Sequence, residues 1–286
     1  HVTTAFSRET GLPSLLFDDS LPLDLEEPRR WFRERIMGQP EAVDLIVDLL
    51  AIVKRGLSRP ERPIASLLFI GPTGVGKTEM AKTLAQFLFG QRSRMIRFDM
   101  SEYADPVSVT QLTGGPFGSE GLLTSKVREQ PFSVVLLDEF EKAHPAFFDL
   151  LLQVLGEGRL TDASGRLANF CNCVVIMTSN LGAASFQRGP LGFVKDRALA
   201  HEAKEHFVEE VRRHLRPELF NRIDRIVPFE PLSFETMSQI AGRELQKIHQ
   251  RDGILLRGID LDIPDAVLQY LVEKGYDPLY GARPLQ

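Results

Sequence analysis

Ser66-Leu67-Leu68-Phe69-Ile70-Gly71-Pro72-Thr73-Gly74-Val75-Gly76-Lys77-Thr78 decides how the rest of the chain is read. An apolar run of strand length enters a turn rich in Gly and Pro. The turn leads into Glu79-Met80-Ala81-Lys82-Thr83-Leu84-Ala85-Gln86-Phe87-Leu88, whose apolar residues recur at helical spacing. Gly71-x-x-x-x-Gly76-Lys77-Thr78 is the phosphate-binding loop pattern, in the strand-to-helix context that the pattern requires. Glycines let backbone N–H groups close around a phosphate, and the helix N-terminus adds the positive end of its dipole. Lys77 is then placed to neutralise the β- and γ-phosphates, and the Thr78 hydroxyl to ligate Mg²⁺. The whole loop, Gly71, Pro72, Thr73, Gly74, Val75, Gly76, Lys77 and Thr78, is therefore assigned to ATP.

The next informative stretch is Ser133-Val134-Val135-Leu136-Leu137-Asp138-Glu139, an apolar run ending in two carboxylates. A buried parallel strand with chemistry at its C-terminal edge has this form. Asp138 can hold hydrated Mg²⁺, and Glu139 can polarise the water that attacks the γ-phosphate. A third run, Val174 to Asn180, also ends in polar residues. Asn180 is placed to orient a water or a γ-phosphate oxygen, although Asn at a strand end also serves simply as a turn former.

Outward from these stretches, strands are expected at Met95–Met100 and Arg225–Phe229. Helices are expected at 29–35, 40–54, 106–112, 122–128, 145–155 and 202–214, with a small hairpin over 158–167. Alternating strands and helices predict a doubly wound α/β fold around a parallel sheet of about five strands. From Ser233 the pattern turns mainly helical, so the expected organisation is an irregular strap over 1–28, a large domain over 29–231 and a small helical domain over 232–286.

Composition agrees with a globular protein. The chain has 286 residues, 43% hydrophobic and 26% charged, with a net charge of −5. No apolar run approaches membrane-spanning length and no secretory leader is visible, so no membrane partner is expected. The acidic balance gives no overall basic footprint for nucleic acid. Cys171 and Cys173 form a lone C-x-C, a poor metal site that leads into a strand; reduced thiols and a cytoplasmic location are expected. A first residue of His rather than Met is expected of a fragment or a processed chain.

The set Gly71–Thr78, Leu136-Leu137-Asp138-Glu139 with Glu141-Lys142-Ala143-His144, Thr178-Ser179-Asn180, Asn221-Arg222-Ile223-Asp224 and Gly275–Leu285 resembles the second ATPase module of Clp-type AAA+ unfoldases and chaperones. The likeness runs from about Ile36 to Gln286. It implies an AAA+ P-loop ATPase domain with a C-terminal lid, here expected to be incomplete, using ATP and Mg²⁺ in a hexameric ring that remodels protein substrates. It also implies that Arg222 is an arginine finger acting on a neighbouring subunit, where the residue alone reads equally as a surface arginine. Asn180 becomes the first sensor, Arg283 the second, and Ile36 and Met37 the adenine pocket.

The chain departs from the family in one loop. Where the family carries Gly-Tyr-Val-Gly, it reads Gly114-Gly115-Pro116-Phe117-Gly118, shorter and without tyrosine. Phe117 either grips substrate in place of the tyrosine or tucks into the loop's base. Leu191-Gly192-Phe193 lies where relatives dock a Clp-type peptidase, and reads either as such a loop or as one folded back on its own domain. The altered pore loop favours one alternative function, an AAA+ regulator that switches shape without threading. A chain of this extent is expected to associate weakly by itself.

Overall fold

The structure is a computed structural model that describes residues 24–55, 61–115, 120–182, 197–258, 263–275 and 282. Five parallel strands form the main sheet: β1 (Ala65–Ile70), β2 (Met95–Asp99), β3 (Val134–Asp138), β6 (Val174–Ser179) and β7 (Arg225–Pro228), in the spatial order β2-β3-β6-β1-β7. The short β4 (Arg159–Thr161) and β5 (Leu167–Asn169) pair antiparallel as the expected hairpin.

The sheet is buried on both faces, which is why β1, β3 and β6 are continuous apolar runs rather than alternating ones. Alternation survives in which core each residue enters. Leu67, Phe69, Val134, Leu136, Val174 and Ile176 pack against α1 (Glu26–Arg33), α2 (Pro40–Lys54) and α3 (Lys77–Phe89). Leu68, Ile70, Val135, Leu137, Val175 and Met177 face the other layer. That layer holds α4 (Pro106–Thr113), α5 (Leu122–Glu129), α6 (Pro145–Glu157) and α7 (Arg197–His214).

Helix ends follow local chemistry. The first helix was expected from Arg29, yet α1 begins at Glu26. Glu26 and Glu27 favour the positive end of the dipole, and Pro28 falls in the first turn, where its missing N–H costs nothing. Gly90 closes α3 in the left-handed conformation. Asp105 caps α4 through the N–H groups of Val107 and Ser108.

The remaining helices are α8 (Pro217–Phe220), α9 (Phe234–His249), α10 (Asp252–Leu255) and α11 (Asp265–Gly275). Ser233 caps α9, which buries Met237 and Ala241 and half-buries Ile240 and Leu245. The second, lid-like part packs on the large domain through the α1–α2 turn. Gly38 sits there at φ 73°, and a Cβ on it would lie 2.6 Å from Thr236 Cγ2.

The loop before β7 is riveted to the start of β1. Asp224 Oδ2 accepts from the Ser66 N–H and the Ser66 hydroxyl, each at 2.7 Å. The Asp224 N–H lies 2.9 Å from the Ser66 carbonyl. Asp224→Ala is expected to lower stability by about 1 to 2 kcal/mol, because it orphans the N–H of buried Ser66. A denaturant midpoint checks this, and an unchanged midpoint would make the rivet irrelevant to folding.

The two cysteines are free, and burial pushes the Cys173 thiol up to about 11. Its sulfur packs against Ser133 and the Pro131 carbonyl. Among the described residues no group of three or more His, Cys, Asp or Glu could hold a metal, and no helix is long and apolar enough to cross a membrane.

Candidate functional site: a phosphate cradle at the strand tips

Parallel strands bring their C-terminal tips to one edge, and most of the residues expected to bind and hydrolyse nucleotide within one chain line a cleft there. A cleft of about 690 Å³ is lined by Thr73 to Thr78, Asp138, Glu139 and Asn180, together with Ile36 and Met37. Ile36 is 4% exposed and belongs to the core as well as to the wall. Leu232, Ile240 and Arg243 close the side toward the lid.

The loop from β1 to α3 needs its glycines. Gly71, Gly74 and Gly76 have φ of 137°, 75° and 107°, a backbone region that side chains disfavour. A Cβ on Gly71 would also lie 2.3 Å from the Phe229 carbonyl oxygen, so the loop runs hard against the strand beside it. Lys77 begins α3, and its ammonium donates to the carbonyls of Gly71 and Pro72 at 2.6 and 2.7 Å. That curls the lysine back over the loop that a phosphate would occupy.

The acidic pair is held on both sides. Asp138 Oδ1 accepts from the Thr178 hydroxyl, and Oδ2 lies 3.0 Å from Arg97 Nε and 2.7 Å from Arg97 Nη2. Glu139 sits at φ 54°, a strained position for a residue with a side chain, and its N–H donates to Thr178 Oγ1 at 3.0 Å. Its carboxylate pairs with Lys142 at 2.5 Å. Next to it, burial pushes the Glu141 carboxyl upward, while Glu141 Oε1 accepts the Asn180 N–H at 3.2 Å.

Several of these partners were not apparent in the sequence. Gln39, 2% exposed, donates from Nε2 to the carbonyls of Val75 and Glu230 and accepts the Glu230 N–H. It thereby joins the turn after Met37, the phosphate loop and the start of the lid. Thr178 and Glu141 fix the spacing between the acidic pair and Asn180. Thr178 and Glu141 stood in the quoted motifs without these roles, and Arg97 joins the site only through the pairing of β2 with β3.

Arg222 lies elsewhere. It precedes β7 at the level of Ser66, at the start of β1, whereas the phosphate loop follows the end of that strand. Four or five strand residues, about 15 Å, separate the two levels. Arg222 Nη1 donates to the Leu152 carbonyl on α6. Gly156 makes room for it, since a Cβ there would sit 2.0 Å from Nη1. Arg283, Phe117 and Leu191-Gly192-Phe193 lie outside the described residues. Ala282, next to Arg283 in the chain, lines the cleft and its N–H lies 3.3 Å from the Gly74 carbonyl.

The donor set fits a nucleoside triphosphate with Mg²⁺. Thr78 and Asp138 line one cleft with a lysine and a helix N-terminus, and Mg²⁺ characteristically takes one or two protein oxygens plus phosphate oxygens and water.

A strand, glycine loop and helix, with an acidic pair at the tip of the parallel strand one place further along the sheet, across β6, make up a P-loop nucleotide-binding frame. The profile of the AAA domain (Cdc48 subfamily) matches residues 62–226, and that of the C-terminal, D2-small domain of ClpB protein matches 232–286. The chain belongs to the AAA family. It is 43% identical to the chaperone protein ClpB of Bacillus cereus over 98% of its length, covering 32% of that protein. It is 45% identical to the ClpB of Pseudomonas putida over its full length, covering 33% of that protein. A closed-state cryo-EM structure of Hsp104 with ATPγS and FITC-casein superposes with a TM-score of 0.81 at 34% identity, over 99% of this chain and 49% of that one. The chain thus spans about a third of the length of the ClpB relatives it matches.

Proposed function

We propose that this chain is an ATP-hydrolysing AAA+ module of a ClpB-like chaperone, working within a hexameric ring to remodel protein substrates. The observation that carries the reading is the convergence of the Lys77 loop, Asp138, Glu139 and Asn180 on one cleft, walled by Ile36, Met37 and the lid. Lys77 and the N-terminus of α3 hold the phosphates. Glu139 takes a proton from the attacking water, with its backbone pinned by Thr178 and its neighbour Glu141 steadying Asn180. Thr78 and Asp138 would hold Mg²⁺, which supplies charge neutralisation on the phosphates. The position of Arg222, at the far end of β1 from its own cleft, supports action on a neighbour's nucleotide.

The relatives are named as chaperones, and the Hsp104 complex names casein, so the substrate class proposed is protein. None of those names mentions a peptidase, and the reading carries remodelling without one. A cytoplasmic location belongs to the same proposal.

Lys77→Ala is expected to weaken ATP binding roughly tenfold to a hundredfold, the worth of a charge-assisted hydrogen-bonded contact. Equilibrium titration with ATP checks this, and unchanged affinity would remove Lys77 from the phosphates. The remodelling claim is tested with a stable fluorescent protein and the full parent chain, with Phe117 intact and as Phe117→Ala. ATP-dependent loss of fluorescence that needs Phe117 supports threading with a substituted aromatic. ATP turnover with no unfolding favours the regulator that switches shape.

A further inference from the structure

The proposed reaction does not use Arg97, yet Arg97 occupies the carboxylate on which that reaction depends. It lies on β2, paired in register with β3 so that Asp99 stands beside Asp138. Two carboxylates side by side at neighbouring strand tips repel each other, and Arg97 projects between them. Its Nε and Nη2 reach Asp138 Oδ2 at 3.0 and 2.7 Å, while the same Nη2 lies 3.9 Å from Asp99 Oδ2. The guanidinium side chain is 44% exposed and lines the cleft, so it is free to shift without disturbing the core. Asp99 Oδ1 accepts from the N–H and hydroxyl of Ser101, which leaves Oδ2 as a second acceptor for Arg97.

Deepening the ATPase reading and resting on it, we propose that Arg97 is a positioning residue that holds the Asp138 carboxylate in competition with Mg²⁺ and transfers toward Asp99 when Mg²⁺ and ATP arrive. A guanidinium 2.7 Å from Oδ2 and a hydrated dication beside the same carboxylate are like charges at one acceptor. Asp138 Oδ1 stays anchored to Thr178 throughout, so the carboxylate keeps its orientation while its cationic partner is exchanged. The contact offsets the charge of a buried carboxylate, and it sets the Mg²⁺ concentration at which the site loads.

The test is a Mg²⁺ titration of ATP binding to the full chain, followed by calorimetry at fixed ATP, with a parallel ATP titration in EDTA. For a half-exposed ion pair the expected change is modest: Arg97→Gln lowers the half-saturating Mg²⁺ concentration roughly threefold to fivefold. Its ATP affinity in EDTA stays at the wild-type value. Arg97→Lys, which keeps the charge, restores most of the wild-type Mg²⁺ requirement. Asp99→Asn, which removes the charge of the second carboxylate, raises it. Arg92→Gln serves as a control, because Arg92 lines the same cleft but pairs with Glu79 and not with Asp138.

An unchanged Mg²⁺ requirement in Arg97→Gln overturns the proposal, as does an equal drop in Arg92→Gln, which would make it a bulk charge effect. Weaker ATP binding in EDTA also overturns it, by placing Arg97 on the phosphates. If the wild-type chain shows no Mg²⁺-dependent ATP binding, the ATPase reading itself fails, and that outcome is distinct from the others.

Discussion

Glu139→Gln is expected to bind ATP as tightly as the wild type and to turn it over roughly 10² to 10⁴ times more slowly, the span a positioned general base contributes. The substitution keeps the size of the side chain and its capacity to hydrogen-bond, so the cleft and the left-handed turn at φ 54° should survive. What it removes is the basic carboxylate that takes a proton from water. The Glu139 N–H is tied to Thr178 Oγ1, which also holds Asp138, so the substitution changes the side chain and leaves the backbone anchor in place. Phosphate release measured beside an ATP titration separates the two quantities. Turnover at the wild-type rate would take Glu139 out of the base role.

Arg222→Ala is expected to cost more, roughly 10³ to 10⁵ in turnover for an arginine finger, provided the parent chain is assembled. The argument is geometric. Arg222 is fixed on Leu152 and fitted over Gly156, beside the start of β1, and it does not line the cleft of its own chain. On the proposed reading its effect is felt across a subunit boundary. Mixing Arg222→Ala subunits with Glu139→Gln subunits tests this directly. Where a wild-type Glu139 cleft meets a wild-type Arg222 from its neighbour, activity should return in part. A mixture no more active than its components would argue that Arg222 acts within one chain or only holds α6.

Sequence alone supplied much of this site, for a physical reason. A phosphate loop is local: its glycines, lysine and threonine lie within eight positions, and their chemistry is the same wherever the strand before them is placed. The strands were also legible, because burial on both faces leaves uninterrupted runs such as Val134–Leu137. The order β2-β3-β6-β1-β7 was not, since it depends on how those runs pair.

Everything that rests on pairing was hidden with it. Arg97 reaches Asp138 only because β2 lies beside β3 in the register Asp99 to Asp138. Gln39 reads as an ordinary polar residue until its amide is seen joining segments 191 positions apart. Arg222 was placed by family resemblance rather than by its own chemistry, and Gly156, which gives it room, looks in the sequence like any helical glycine. The early start of α1 at Glu26 was missed because Pro28 was counted with the irregular strap over 1–28, although the first turn tolerates proline.

The most direct measurement on the central claim is phosphate release from ATP by the full parent chain across a Mg²⁺ titration, for wild type and Glu139→Gln side by side. The account predicts hydrolysis that requires Mg²⁺ in the wild type, and its near loss in the variant with ATP binding intact. Wild-type protein that binds no ATP, or hydrolysis that is indifferent to Glu139, would contradict it.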